Sequence, residues 1–422
     1  MYAALDNKNP GIIRACEDYL LTKVTDVTKI VNYAKSKNID MVLIGPEAPL
    51  GEGLVDAFES VGIDSIGPTR HAAKIETSKS YMRNLMKKYK IPGLVKYGVF
   101  KDYKRARAFI EELDGEVAVK PVGLTGGKGV KIIDEHLANA QEAIEYAKKV
   151  IDTKIGGRAQ VVIEQKMVGE EFTLQAFCDG KVAMPMPAVQ DHKRAYEGDK
   201  GPNTGGMGSY SQSDGMLPFL SRDHYEDAAL IVQKLVEALS AEGHPYKGII
   251  YGQFMLTAEG PVVIECNARL GDPEAMNVLP LLRTDYLDIC NAIINSTLSR
   301  KKISFSRKST VCKYVVPRGY GTKSITGSEI SVNEDNVKKM GAKLFYASVN
   351  ETGGKLYTTS SRSLALVGIA QNIYDAEKIV ERALTHVKGK DIYVRHDIGK
   401  KSSIMKKVKR MEMILKGNNR DD

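Results

Sequence analysis

No stretch of this sequence holds the roughly 20 consecutive apolar residues that a membrane-spanning helix needs, and its start lacks a basic segment leading into a hydrophobic core. Those absences point to the cytoplasm and to no membrane partner. Cysteine is also scarce: Cys16, Cys178, Cys266, Cys290 and Cys312 are odd in number, without paired spacing. That excludes a zinc module or a dithiol couple and fits a reducing compartment. Internal repeats and low-complexity tracts are lacking, as is any evident Ser-His-Asp arrangement for nucleophilic catalysis.

What is present is ordinary globular material. The 422 residues are 43% hydrophobic and 27% charged, which at roughly 150 residues per domain predicts a multidomain chain. A net charge of +9 suits an anionic partner, either nucleic acid or small phosphorylated substrates. Aromatic and basic residues do not interleave, so nucleic acid is not the expected one. Much of the excess charge lies in 400–416, where Ile404, Val408, Met411 and Leu415 recur at helical spacing among lysines and Arg410. The expectation is a terminal helix docked by its apolar stripe, with a solvated basic face and no assigned function.

Helix and strand patterns alternate over 31–37, 41–44, 54–61 and 65–67. Such alternation predicts a parallel sheet with ligands at the carboxyl ends of its strands, where Gly45, Pro46 and Glu47 stand. A helix over 78–90 stops before Pro92. Helices over 103–113 and 137–150 with strands at 117–120, 130–133 and 161–164 predict a compact α+β lobe. A long helix over 225–241 precedes a hairpin of 249–256 with 261–266, and short strand-like pieces with one helix over 376–387 follow residue 298. The expected boundaries are an N-terminal α/β domain over 1–78, a central domain over 79–302 with a mobile lobe near 103–171, and a C-terminal domain over 303–422.

The stretch 190–210 sets Asp191, His192, Lys193, Arg194, Asp199, Lys200, Asn203 and Thr204 among Gly201, Gly205, Gly206 and Gly208. It is too polar and glycine-rich to build a core, which marks a binding loop. In the predicted hairpin, Gln253 falls opposite Glu265, and Glu265 shares a face with Asn267 because strand side chains alternate. Hard oxygen donors of this kind suit magnesium. Lys120 closes a strand, and Lys128 sits among Gly126, Gly127 and Gly129, so two ammonium groups bracket a loop whose N–H groups can approach phosphate. This is not a Walker loop, since Gly129 stands where a Ser or Thr would be required. Around Glu164, Gln165 and Met167, main-chain groups can read an adenine edge, with Glu171 placed for ribose hydroxyls.

In combination, Lys120, 126–129, 164–171, Glu265, Asn267 and Arg269 resemble the ATP-grasp superfamily of carboxylate-amine ligases. Within it, 45–50 (Gly-Pro-Glu-Ala-Pro-Leu), 190–194, 201–208 (Gly-Pro-Asn-Thr-Gly-Gly-Met-Gly) and 265–274 resemble the glycinamide ribonucleotide synthetase family, nearly end to end. The resemblance implies an ATP-grasp fold with an N-terminal parallel α/β domain and a small C-terminal mixed domain. It implies ligation of glycine to 5-phosphoribosylamine with ATP as co-substrate, through glycyl phosphate, in purine synthesis. Two Mg2+ or Mn2+ ions would be held by Glu265 with Asn267 and Gln253, while Lys79, Lys120, Lys128 and Arg269 offset phosphate charge. Asp191, Asn203, Thr204, Gly206 and Met207 would shape the glycine and phosphoribosylamine site, and His192 is expected to orient rather than act as a base. Glu47 would meet the ribose or amine and Arg362 the phosphate of phosphoribosylamine. A monomer or weak dimer is expected.

Relatives in the family usually open with a short strand and a glycine-rich turn, whereas Met1, Tyr2 and Ala3 look like the second strand. The expectation is a natural chain extending upstream by roughly 20 residues. Two other readings stay open: a formate-using ATP-grasp transformylase, which the 201–208 loop fits less well, and a nucleotide-binding protein without catalysis.

Overall fold

The computed structural model describes residues 1–123 and 129–417. Near the N-terminus, Tyr2–Leu5 pairs in parallel with Asp18–Leu21, and Met41–Leu43 with Asp64–Ile66. The expected parallel pairing is present in two separate two-stranded pieces, which share no strand pairing among the described residues. A short helix, Glu47–Gly51, starts just past Met41–Leu43 and fixes Glu47 at that carboxyl end.

Ser78 caps the next long helix, Lys79–Lys88, by accepting a hydrogen bond from the Tyr81 N–H. That helix buries Met82, Leu85 and Met86, and with them Arg83, which is 0% exposed. The following lobe is a four-stranded sheet in the order Tyr97–Phe100, Val161–Gln165, Val117–Pro121, Lys131–Ile132. Helices Tyr103–Glu112 and Ala140–Asp152 pack on it around Ile110, Val119, Ala147, Val150 and Ile163. These residues form a core distinct from the main one.

The main core lies over a second antiparallel sheet, ordered Ala183–Pro185, Glu170–Asp179, Lys247–Thr257, Gly260–Asn267. Phe172 stacks on Phe254 beneath the helix Arg222–Ala241, whose Ile231, Val232, Leu235 and Leu239 complete that layer. The hairpin read from sequence is present, and its register sets Gln253 directly across from Glu265.

Two sequence expectations change. The stretch 190–210 is a paired structure, not a free loop. Gln190–Asp191 pairs with Gly208–Ser211, which pairs with Ser309–Pro317, then Leu364–Ala370 and Lys343–Tyr346. Between them, Arg194–Tyr196 and Lys200–Asn203 form a hairpin. Backbone hydrogen bonds build these strands, which a glycine-rich side-chain pattern does not reveal. The terminal helix, Lys401–Leu415, docks through Ile404, Met411 and Ile414, with Val408 packed alongside, while Leu415 is 46% exposed. Its basic face is not wholly solvated: Lys407 lies 3.2 Å from Asp199 and 3.6 Å from Glu170, and Arg410 lies 3.3 Å from Glu170. No helix among the described residues is long and apolar enough to cross a membrane.

Candidate active site

Strand alternation delivers Glu265 and Asn267 to one face of the hairpin, with Gln253 across from Glu265. The Gln253 side chain is 1% exposed; its Nε2 donates to Glu171 Oε2 at 2.6 Å, and its Oε1 is buried with no hydrogen-bond partner among the described residues. An orphaned buried amide oxygen is costly unless something occupies it. A hard cation beside Glu265 and Asn267 is a chemically suitable occupant, so the donor set fits the implied magnesium. Among the described residues, no group of three His, Cys, Asp or Glu side chains clusters to hold a metal unaided. A divalent ion here would depend on amide, water and phosphate oxygens as well.

Glu265 itself accepts no hydrogen bond from the described residues. Burial pushes its carboxyl up, but Lys193, Lys79, Lys120 and Arg269 outweigh burial and hold it below its ordinary value. Four cations from different parts of the chain act on this carboxylate, and three of them also pair with other acids: Lys120 with Glu164, Lys193 with Glu171, and Arg269 with Glu47. Lys79 is depressed by burial and reaches the Gly123 carbonyl at 3.3 Å. Gly126, Gly127 and Lys128 lie outside the described residues; Gly129 O accepts from Tyr146 Oη at 2.8 Å.

The strand read at 161–164 runs one residue further, Val161–Gln165, and carries Glu164 and Gln165. The Glu164 carboxylate is 1% exposed and accepts from Arg83 Nε at 2.7 Å, Arg83 Nη2 at 2.8 Å and Lys120 Nζ at 2.6 Å. Burial raises its pKa, yet the two cations bring it down to about 2. Its oxygens are occupied by protein, and the N–H groups of Gln165 and Lys166 donate to Lys96 O and Glu116 O at 2.9 Å, so Met167, Glu171 and the remaining main-chain groups of 165–167 are the candidates for a nucleotide. Glu171 is half-exposed and lies 3.8 Å from Lys193.

Glu47 and Arg269, 222 residues apart, meet in a hydrogen-bonded ion pair at 2.9 Å. Burial raises the Glu47 carboxyl, and the Arg269 guanidinium more than compensates. Arg269 also faces Glu76 at 3.8 Å, a residue the sequence did not single out. Glu76 is 6% exposed, accepts from the Ala268 N–H at 2.6 Å, and is raised by burial from 4.5 to about 7. The folded state therefore holds a proton that the unfolded chain has released between about pH 4.5 and 7, and stability falls as pH rises through that window. The full penalty, on the order of 3 kcal/mol, is reached above it. Glu76→Gln keeps an acceptor for Ala268 and is expected to flatten that slope in denaturation curves across this range.

Asp191 and Glu274 are neighbouring acids. Burial and the Glu274 charge push Asp191 well up, while burial raises Glu274, which accepts from Tyr251 Oη at 2.9 Å. Gly206 (φ +111°) brings its backbone so close that a Cβ would lie 2.8 Å from Asp191 Oδ1 and 2.7 Å from Pro273 Cδ. Gly206→Ala is expected to displace Asp191 and to cost roughly 1–3 kcal/mol, read by denaturation alongside turnover.

The remaining candidates are spent on structure. Thr204 Oγ1 donates to Lys193 O and accepts from the Gly206 N–H. Met207 is 0% exposed, with its N–H on His192 O and its C=O on the Tyr314 N–H, so it supports the loop from below. Asn203 pairs with Arg194 in the hairpin. Arg362 grips Gly205 O and the Asp272 main-chain and side-chain oxygens at 2.6–2.8 Å. His192 is 3% exposed, lies tilted against Tyr210 with ring centroids 5.8 Å apart, and is held neutral by burial, which lowers it to about 3. Arg83 and Glu76 were the residues missed; the signal for Arg83 was an arginine within the apolar face Met82, Leu85 and Met86.

Comparison with known proteins places this geometry. Models of phosphoribosylglycinamide synthetase match its N domain at 1–76, its ATP-grasp (A) domain at 77–275 and its C domain at 310–401. The phosphoribosylamine–glycine ligase of Methanothermobacter thermautotrophicus is 55% identical over 413 residues, covering 98% of this chain and 94% of that one. That of Methanobrevibacter smithii is 49% identical over 415 residues, with coverage of 98% and 94%. Among solved structures, phosphoribosylamine–glycine ligase from Thermotoga maritima superposes with a TM-score of 0.72 at 25% identity, over 94% of this chain and 100% of that one. The biotin carboxylase domain of Hydrogenobacter thermophilus 2-oxoglutarate carboxylase, solved with MgADP, gives 0.72 at 15% identity, over 97% and 93%. That last likeness concerns the fold alone. From the three matched domains and the archaeal relatives, the chain belongs to the phosphoribosylglycinamide synthetase family.

Proposed function

We propose that the chain joins glycine to 5-phosphoribosylamine with ATP, giving glycinamide ribonucleotide, ADP and phosphate. The observation that carries this reading is the hairpin that sets Gln253 across from Glu265 and places Asn267 on the same face, in a chain half identical to enzymes named for that ligation. Bound Mg2+ or Mn2+, two ions held by Glu265, Asn267 and the free Gln253 Oε1, would supply charge neutralisation at the transferring phosphoryl group.

The chain's own residues do the rest by positioning. Lys79 and Lys120, with Lys128 from the glycine loop, draw the phosphates in; the main chain at Gln165 and Met167 meets the adenine edge, and Glu171 the ribose. Glycine's carboxylate oxygen attacks the γ-phosphorus and ADP departs, leaving glycyl phosphate. The phosphoribosylamine nitrogen attacks the carbonyl carbon and phosphate leaves with the former carboxylate oxygen. Asp191, held by Gly206, faces the glycine end, and Arg269 braced by Glu47 and Glu76 faces the developing negative charge. Closure of the separately cored lobe excludes water from the acyl phosphate. Domain limits near 78 and 302, a cytoplasmic location and a monomer or weak dimer belong to the same proposal.

Heavy-oxygen-labelled glycine tests the intermediate. One label atom per turnover is expected in the released phosphate; unlabelled phosphate at full turnover would rule out glycyl phosphate.

A further inference from the structure

Arg83 lies in the helix Lys79–Lys88 between the first domain and the lobe and is itself no candidate substrate contact, yet no charged residue is better buried. Its Nε and Nη2 take both oxygens of Glu164 on the lobe strand, at 2.7 and 2.8 Å, and Nη2 also donates to Ile264 O at 3.1 Å. Ile264 precedes Glu265 in the hairpin, so one guanidinium ties the lobe sheet to the strand carrying the candidate metal ligand. Glu164 Oε2 is shared with Lys120 Nζ at 2.6 Å, and all three side chains are nearly inaccessible to solvent.

The charge count matters more than the tether. Within the hydrogen-bonded cluster two cations face one carboxylate, and the Lys120 charge acts also on Glu265, the candidate metal ligand. A buried Glu164 facing Lys120 alone would form a neutral pair with the ammonium committed to it; with Arg83 holding the carboxylate in a fork, the Lys120 charge stays available to an incoming phosphate. We infer that Arg83 is a positioning residue for nucleotide phosphate, acting through Glu164 to keep Lys120 uncompensated. The inference rests on the ATP-binding reading above and concerns the phosphates, not the base.

Calorimetry on the full chain with ADP and, separately, adenosine tests it. Arg83→Met is expected to weaken ADP about tenfold while adenosine shifts by less than about twofold, with Arg83→Lys between wild type and Met because it keeps the charge and loses the fork. The double variant Arg83→Met with Glu164→Gln removes the unpaired buried carboxylate, restores a net positive charge from Lys120, and is expected to recover most ADP affinity. It also covers the case in which Arg83→Met alone fails to fold. Equal weakening of ADP and adenosine, or further loss in the double variant, overturns the inference in favour of a scaffold role. Failure of the wild type to bind ADP at all would instead overturn the nucleotide reading beneath it.

Discussion

Glu265→Gln is expected to reduce turnover by roughly a thousandfold while leaving the fold and metal-free ADP binding in place. The substitution keeps size and strand register, and no hydrogen bond from the described residues is lost. What disappears is the charge on which Lys193, Lys79, Lys120 and Arg269 converge, together with the only carboxylate in the set Gln253, Glu265 and Asn267. Because the Glu265 carboxyl is depressed, its contribution to stability is present above its unfolded value near 4.5 and fades as pH falls through the folded one. Its loss by Gln substitution should therefore appear at neutral pH as a modest destabilisation of the ligand-free protein. Steady-state ADP release, circular dichroism and calorimetry read these three effects separately. Turnover within tenfold of wild type would remove Glu265 from the chemistry.

Arg395→Met is expected to cost roughly 1–3 kcal/mol, the usual consequence of losing hydrogen bonds to charged partners, Asp397 being mostly buried and Asp199 open to solvent. The guanidinium is 0% exposed and donates to Asp397 at 2.9 and 2.6 Å, to Asp199 at 2.8 Å and to Arg194 O at 2.9 Å. It therefore ties the Arg194–Tyr196 hairpin to the C-terminal region, with Lys407 of the terminal helix adding a second cation at Asp199. Burial raises both carboxyls, but at Asp199 the cationic surroundings, including Lys407 and Arg395, and at Asp397 the Arg395 hydrogen bonds hold them below the ordinary 3.8. That stability is present above 3.8 and lost as pH falls, so the variant should show a shallower acid limb as well as a lower plateau. Protease nicking within 194–203 and denaturant titration are the measurements. A plateau unchanged within about 1 kcal/mol contradicts the assignment of the hairpin's anchorage to Arg395.

The parts legible in the sequence were those set by local periodicity. Alternation placed Glu265, Asn267 and Gln253 together because strand geometry repeats every second residue, and the alternating helices and strands of the N-terminal region gave its parallel pairing. Contacts made across long stretches of chain were not legible. Arg83 meets Glu164 81 residues away, Arg269 meets Glu47 at 222, and Arg395 meets Asp199 at 196. Only folding decides such partners, although Arg83 announced itself as a charge on an apolar helix face. The strands of 190–210 were not legible from its glycine-rich composition, because they are specified by the backbone edge of Ser309–Pro317. The same edge explains why Met207 faces inward: Gly208 pairs with Lys313, and its neighbour follows the pleat into the core.

The central claim is the ligation, and ADP release by the purified chain with Mg2+ tests it most directly, using glycine alone and glycine with freshly generated phosphoribosylamine. The account predicts sustained release only with both substrates present, abolished in Glu265→Gln, with glycinamide ribonucleotide formed in step with ADP. Release at the same rate without phosphoribosylamine, or ADP formation without that product, would contradict it.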